Sequence, residues 1–226
     1  MLEAILFDID GVLVDSEQLY FTAVRDTFRQ FKVEIGVEEY VRRFMLEHTN
    51  STGVIKDYKL NVPLSKVRQI RGQIVERLFE DLKPMPYAVE LVEELRWLYP
   101  MGVVSSSSPT EIERKLGKFN PEHPFQVIVS DEDVENSKPN PDPYLKGLEL
   151  LRKYANRDIG ITPGNVLTIE DTPSGVISAK KAGCKTIAFP NGFTKGMDFS
   201  MADRIVYKLD EITPKFLFGL YEKWKD

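Results

Sequence analysis

Two carboxylates, Asp8 and Asp10, close an apolar run in Phe7-Asp8-Ile9-Asp10-Gly11-Val12-Leu13-Val14-Asp15-Ser16. If the run is a strand, a spacing of two residues points both side chains to the same side. Gly11 then lets the chain turn sharply. Like charges held that close cost free energy unless a cation, a proton or a substrate compensates them. An isolated pair is equally well explained as a strand end breaking into solvent, so the rest of the chain must decide.

Three further segments bear on it. Val103-Val104-Ser105-Ser106-Ser107-Ser108-Pro109-Thr110 runs from an apolar stretch into a helix starting near Pro109. Its hydroxyls and free N–H groups would seat a phosphate, or simply cap the helix. Ser137-Lys138-Pro139-Asn140-Pro141-Asp142 fixes a lysine ahead of two prolines; alone, it reads as a solvated side chain. Leu167-Thr168-Ile169-Glu170-Asp171-Thr172-Pro173-Ser174-Gly175 ends another apolar run in two acids, which capping would also explain. Together these segments place carboxylates, hydroxyls and one lysine at the carboxyl ends of four candidate strands. Oxygen ligands in a dense carboxylate cluster suit Mg²⁺ better than a softer metal. A carboxylate nucleophile beside a bound cation and a lysine suits phosphoryl transfer through an aspartyl-phosphate.

The elements that would position these groups are legible as short apolar runs at Ala4–Asp10, Met101–Ser106, Phe125–Asp131, Asn165–Asp171, Lys185–Pro190 and Arg204–Leu209. Near-continuous apolar character is what strands buried on both faces show. Helical patterns lie between them, at Tyr87–Leu98, Pro141–Tyr154 and Pro173–Gly183. The alternation predicts an α/β fold, a Rossmann-like parallel sheet with helices on both faces. Such sheets place ligand sites at the carboxyl ends of their strands. Residues 16–86 break the alternation with helical stripes: Tyr20, Val24, Phe28 and Phe31; Tyr40, Val41, Phe44 and Met45; Val67, Ile70, Ile74, Leu78 and Leu82. They read as an inserted α-helical cap domain, with residues 1–15 and 87–226 forming the catalytic core. Lys83-Pro84-Met85-Pro86 reads as a stiff return linker.

Bulk composition limits the partners. The chain has 226 residues, is 42% hydrophobic and carries a formal net charge of −5. That gives no basic footprint for nucleic acid and no polybasic membrane anchor. No stretch approaches the ~20 apolar residues of a membrane span. One cysteine, Cys184, and two histidines leave neither a disulfide nor a Cys/His zinc site. The expectation is a soluble cytoplasmic protein whose partner is a small molecule; oligomeric state is unreadable.

The four motifs in order, D-x-D-G-x-x-x-D-S, the serine run after the second strand, S-K-P-x-P-D and E-D-x-x-x-G-V, resemble the haloacid dehalogenase superfamily. The resemblance covers the whole chain and is strongest to the helical-cap branch containing β-phosphoglucomutase-like and phosphoglycolate-phosphatase-like enzymes. It implies that Asp8 is the nucleophile and Asp10 the acid/base. Ser106, with the Ser107 backbone N–H, would bind the phosphoryl oxygens, in a register that Ser105 to Ser107 leave open. Lys138 would neutralise charge, and Asp8, the Asp10 carbonyl, Asp171 and Glu170 would hold Mg²⁺. Dehalogenase members lack the acid at the Asp10 position, so its presence favours phosphomonoester chemistry.

The resemblance also brings alternatives. In the mutases a histidine follows the D-S segment and a cap arginine grips a second phosphate. Here Tyr20 stands in the matching place, and Glu47-His48-Thr49-Asn50-Ser51-Thr52-Gly53 offers no arginine. This favours hydrolysis of a small phosphorylated metabolite (a sugar, polyol or glycolate phosphate) over a phosphomutase. Tyr20 and His48 are candidate substrate contacts, although Tyr20 reads first as helical core and His48 as an ordinary loop residue. A phosphoacceptor signalling module would share the aspartate, hydroxyl and lysine, but has no use for Asp10 or a lid. A Ser–His hydrolase lacks the G-x-S-x-G elbow.

Overall fold

A computed structural model of the chain describes residues 1–155 and 161–224. Four apolar residues, Ala4–Phe7, form strand β1, every one of them buried. The chain then enters a helical stretch made of α1 (Ser16–Arg29), α2 (Val37–Tyr40) continuing into a π-helical segment Val41–Leu46, α3 (Asn50–Asp57) and α4 (Leu64–Phe79). It returns as α5 (Ala88–Leu95), β2 (Met101–Val104), α6 (Pro109–Phe119), β3 (Val127–Val129) and α7 (Asp142–Ala155). The remainder is β4 (Val166–Glu170), α8 (Pro173–Lys181), β5 (Lys185–Ala188), β6 (Arg204–Ile205) and α9 (Pro214–Lys223). Pro opens α6, α8 and α9, each behind a hydroxyl N-cap (Ser108, Thr172 and Thr213) that accepts a backbone N–H.

The six strands form one sheet in the order β3-β2-β1-β4-β5-β6, and every pair is parallel. The order reverses at β1, which lies between β2 and β4. The crevice outside the carboxyl ends of β1 and β4 is therefore the switch point where such sheets bind ligands. Both faces of the sheet are covered. Leu6, Val104 and Val129 pack with Tyr144, Leu148 and Leu151 of α7, and the alternate residues Ile5, Phe7, Val103 and Ile169 are just as inaccessible.

Each strand is shorter than its apolar run. β1 stops at Phe7 because the Leu13 and Val14 N–H groups bond back to the Ile9 carbonyl, and that of Gly11 bonds to Val14. These local bonds replace the ladder. The expectation of a doubly buried strand across Arg204–Leu209 is corrected: β6 is a two-residue, exposed edge strand, and Leu209 starts a 3₁₀ turn.

The chain divides into two compact units, Met1–Val14 with Lys83–Asp226, and Asp15–Leu82. Val14 bridges to Pro84, and the Met85 N–H donates to the Leu13 carbonyl. In the helical unit α1 packs on α4, burying Val24, Phe28, Val67 and Ile74. Phe21 meets Tyr40 edge to face and Tyr40 stacks on Phe44, and a buried Arg43 is held by Glu39 at 2.7 Å and Asp57 at 2.8 Å. Among the described residues no helix is long and apolar enough to cross a membrane.

Candidate active site

Asp8 leaves β1 with its backbone N–H bonded to the Ile169 carbonyl of β4, which fixes its side chain at the switch point. The carboxylate is buried and meets the Lys138 ammonium at 2.5 Å. Lys138 reaches there from the loop before α7, whose Asn140 carbonyl accepts from Ser178 and whose Pro139 carbonyl accepts from Lys181. An ammonium has three donors. Those of Lys138 go to Asp8, to Glu170 at 2.6 Å and to the Val104 carbonyl at 2.9 Å. One side chain thus ties together the ends of β1, β4 and β2.

Glu170 is fully buried; one of its oxygens also accepts from the Tyr144 hydroxyl, while the other, Oε2, has no hydrogen-bond partner among the described residues. Its carboxylate lies against the first turn of α8. There a Cβ on Gly175 would fall 1.9 Å from Oε2, so only glycine leaves room. Asp171 accepts from Asn191 at 2.8 Å. Gly11 has φ of +70°, and a Cβ there would lie 2.1 Å from Asp171 Oδ2. Both turn geometry and space demand glycine.

The electrostatics follow from two buried carboxylates, Asp8 and Glu170, sharing one ammonium, with Asp171 buried beside them. Burial pushes the Asp8 carboxyl up to about 7; Lys138 opposes the shift, while Glu170 and Asp10 add to it. Burial works against the charge on Lys138, but Asp8 and Glu170 outweigh it and raise its pKa. Tyr144 is raised by burial and then by Glu170 and Asp8, so it stays a donor. Asp8, Glu170 and Asp171 each offer an oxygen within 4.8 Å of the others. An all-oxygen, buried, over-negative set with an unpartnered Oε2 suits a hard divalent cation such as Mg²⁺.

Asp10 diverges from its neighbour. Its carboxylate lies outside that cluster and contacts Lys115 of α6 at 2.7 and 2.9 Å and the Ser107 hydroxyl at 3.2 Å. In the serine run, Ser105 is buried and its Oγ accepts from the Ser107 N–H, whereas Ser106 is exposed and its hydroxyl has no hydrogen-bond partner among the described residues.

The α/β unit therefore gathers Asp8, Asp10, Lys138, Glu170, Asp171, Ser106 and Ser107 at neighbouring strand ends. Tyr20 is half-buried on α1, an electrostatic neighbour of Tyr40. His48 is exposed with φ of 52°. It lines a pocket of about 410 Å³ with Thr49, Ser51, Arg68 and Arg71. The 47–53 loop itself has no arginine; the two arginines of this pocket come from α4, three residues apart, and read in sequence as an ordinary polar face. Sequence reading also missed Lys115, Tyr144 and Asn191.

The chain matches the model of the haloacid dehalogenase-like hydrolases over residues 5–189. It is 31% identical over 82% of its length to the phosphorylated carbohydrates phosphatase of Thermotoga maritima, covering 84% of that protein. It is 27% identical over 97% of its length to the bifunctional riboflavin kinase/FMN phosphatase of Arabidopsis thaliana, of which it spans only 55%. A crystal structure of a haloacid dehalogenase-like protein from Agrobacterium tumefaciens superposes over the whole of both chains with a TM-score of 0.79 at 23% identity, a likeness of fold.

Proposed function

The chain belongs to the haloacid dehalogenase-like hydrolase family, and from that premise we propose that it is a Mg²⁺-dependent phosphatase of a small phosphomonoester, with Asp8 carrying the phosphoryl group. The observation that carries the reading is the buried Asp8–Lys138–Glu170–Asp171 cluster at the carboxyl ends of β1 and β4.

In the first step an Asp8 oxygen bonds to phosphorus as the bond to the leaving oxygen breaks. Asp10 gives that oxygen its proton. In the second step water attacks phosphorus, Asp10 takes a water proton, and the Asp8–phosphorus bond breaks to release phosphate. Asp10 serves as acid and then base because its carboxylate stands apart from the cluster. Lys138 offsets charge on Asp8 and the incoming phosphoryl group; Ser106 orients the phosphoryl oxygens, joined by the Ser107 N–H when it exchanges its bond to the Ser105 hydroxyl for one to phosphate. Asp8, Glu170, Asp171 and the Asp10 carbonyl would hold Mg²⁺, which when bound neutralises the cluster and the phosphoryl oxygens.

The substrate class is a sugar, polyol or glycolate phosphate; the name of the Thermotoga relative supports the carbohydrate end of that range. A second reading, a phosphomutase, draws support from Arg68 and Arg71 beside His48, which suit a second anionic group. Tyr20 in place of the mutase histidine speaks against it. Asp8→Asn should lower turnover of 4-nitrophenyl phosphate in Mg²⁺ roughly 10⁴-fold or more, as loss of a nucleophile does. Wild-type rate in that variant would overturn the mechanism. Release of inorganic phosphate from a hexose 1-phosphate, rather than its conversion to the 6-phosphate, separates hydrolysis from the mutase.

A further inference from the structure

Lys115 is 1% exposed, although lysine is rarely fully buried. It occupies the apolar stripe of α6, in phase with Ile112, Leu116 and Phe119, all buried. A methionine there would fill the same space without the cost of desolvating an ammonium. What the ammonium does instead is specific. It contacts both oxygens of Asp10, at 2.7 and 2.9 Å, and donates to the Ser107 hydroxyl at 2.8 Å. That hydroxyl in turn donates to Asp10 Oδ2 at 3.2 Å, closing a triangle between the turn after β1, the loop after β2 and α6. The Asp10 side chain remains 24% exposed, so it is held from the core side and open on the other.

We propose that Lys115 is the positioning residue of the acid/base: it fixes the orientation of the Asp10 carboxylate and, through Ser107, its register against the phosphate-binding loop. This rests on the phosphatase reading above, in which Asp10 protonates the leaving oxygen. A carboxylate free to rotate would lose the alignment that proton transfer needs, while nucleophilic attack by Asp8, which has its own lysine, would go on. The ammonium stays on the enzyme throughout and exchanges no proton with substrate.

The consequence is selective for the leaving group. Phenolate needs its proton as it departs; 2,4-dinitrophenolate does not. The experiment measures kcat/KM, which reports formation of the phosphoenzyme, for phenyl, 4-nitrophenyl and 2,4-dinitrophenyl phosphate in Mg²⁺. Lys115→Met should lose roughly 100-fold on phenyl phosphate, the scale of general acid catalysis, and under about 3-fold on the dinitrophenyl ester. Its steady-state kcat on the dinitrophenyl ester should fall with KM, because Asp10 is still needed as base. Ser107→Ala, which removes one side of the triangle with less risk to packing, should show the same order with a smaller loss. Equal losses on all three esters in both variants, or none on phenyl phosphate, would overturn the assignment. Asp8→Asn in the same series tells the two failures apart: if it keeps its rate on every ester, the Asp8 mechanism on which the proposal rests is wrong.

Discussion

Asp8 and Asp10 leave one strand two residues apart, and each meets its own lysine, yet the two pairs are built differently. Asp8 lies in a closed, buried node where Lys138 also serves Glu170 and a strand carbonyl. Asp10 is open on one side, and Lys115 spends its donors on it and on Ser107. The first node holds charge that the fold must keep compensated, so it bears on stability as well as on the proposed chemistry. The second orients a group that, in the proposed mechanism, changes protonation state and still reaches solvent. Proximity in sequence therefore says little about electrostatic task; the elements that close over each carboxylate set it.

The sharpest way to break this comparison is to remove each lysine and measure stability without metal. Lys138→Met leaves buried carboxylates uncompensated and should cost about 3–5 kcal/mol, a fall in melting temperature on the order of 10 °C at this chain length. Lys115→Met leaves a partly hydrated Asp10 and should cost under about 1 kcal/mol. Thermal unfolding in EDTA checks both. Equal destabilisation would mean that the nodes do not differ in kind.

The two nodes also differ in how far the sequence discloses them. Asp8, Lys138, Glu170 and Gly175 sit in short motifs at the ends of apolar runs, where strand periodicity and the switch-point rule place them together. Lys115 lies in Glu113-Arg114-Lys115-Leu116-Gly117-Lys118, which reads as a solvated helix face. Its signal was present, since it falls three residues after Ile112 and four before Phe119. Hydrophobic patterning nonetheless discounts a lysine on the stripe. Asn191 and Tyr144 were hidden for a related reason: a Pro-Asn-Gly turn and a core aromatic have ordinary local explanations, and only the packed sheet brings them to Asp171 and Glu170. The parallel sheet was legible from its apolar runs. Strand ends were not, because the ladder yields to turn bonds such as those onto the Ile9 carbonyl.

A smaller effect sharpens the first node alone. Gly175→Ala would put a methyl group 1.9 Å from Glu170 Oε2, so the carboxylate must move, loosening its contacts with Tyr144 and Lys138. The expected cost is about 1–3 kcal/mol of stability, as for overpacking elsewhere. Mg²⁺ affinity should weaken roughly 10- to 100-fold, as when a supporting partner of a metal site is lost. Calorimetric titration with Mg²⁺ measures it. Unchanged affinity would show that Glu170 serves Lys138 rather than the cation.

The most gradual expected effect is a slope with pH. The Asp8 carboxyl is raised from 3.8 to about 7 by burial, with Glu170 and Asp10 adding and Lys138 opposing. Between those values the folded chain holds a proton that the unfolded chain has released, so the Asp8 contribution to stability falls as pH rises. It is most favourable below about pH 4 and levels off above about pH 7. Other groups titrate too, so the quantity to measure is the melting temperature of wild type minus that of Asp8→Asn, in EDTA, from pH 4.5 to 7.5. The difference should decrease across that window. Mg²⁺ requires the ionised carboxylate, so the stabilisation it confers on wild type should grow over the same range, with proton release on binding. A difference that rises with pH in EDTA would mean that Lys138 already holds Asp8 ionised. The cation would then not be needed to compensate the buried node.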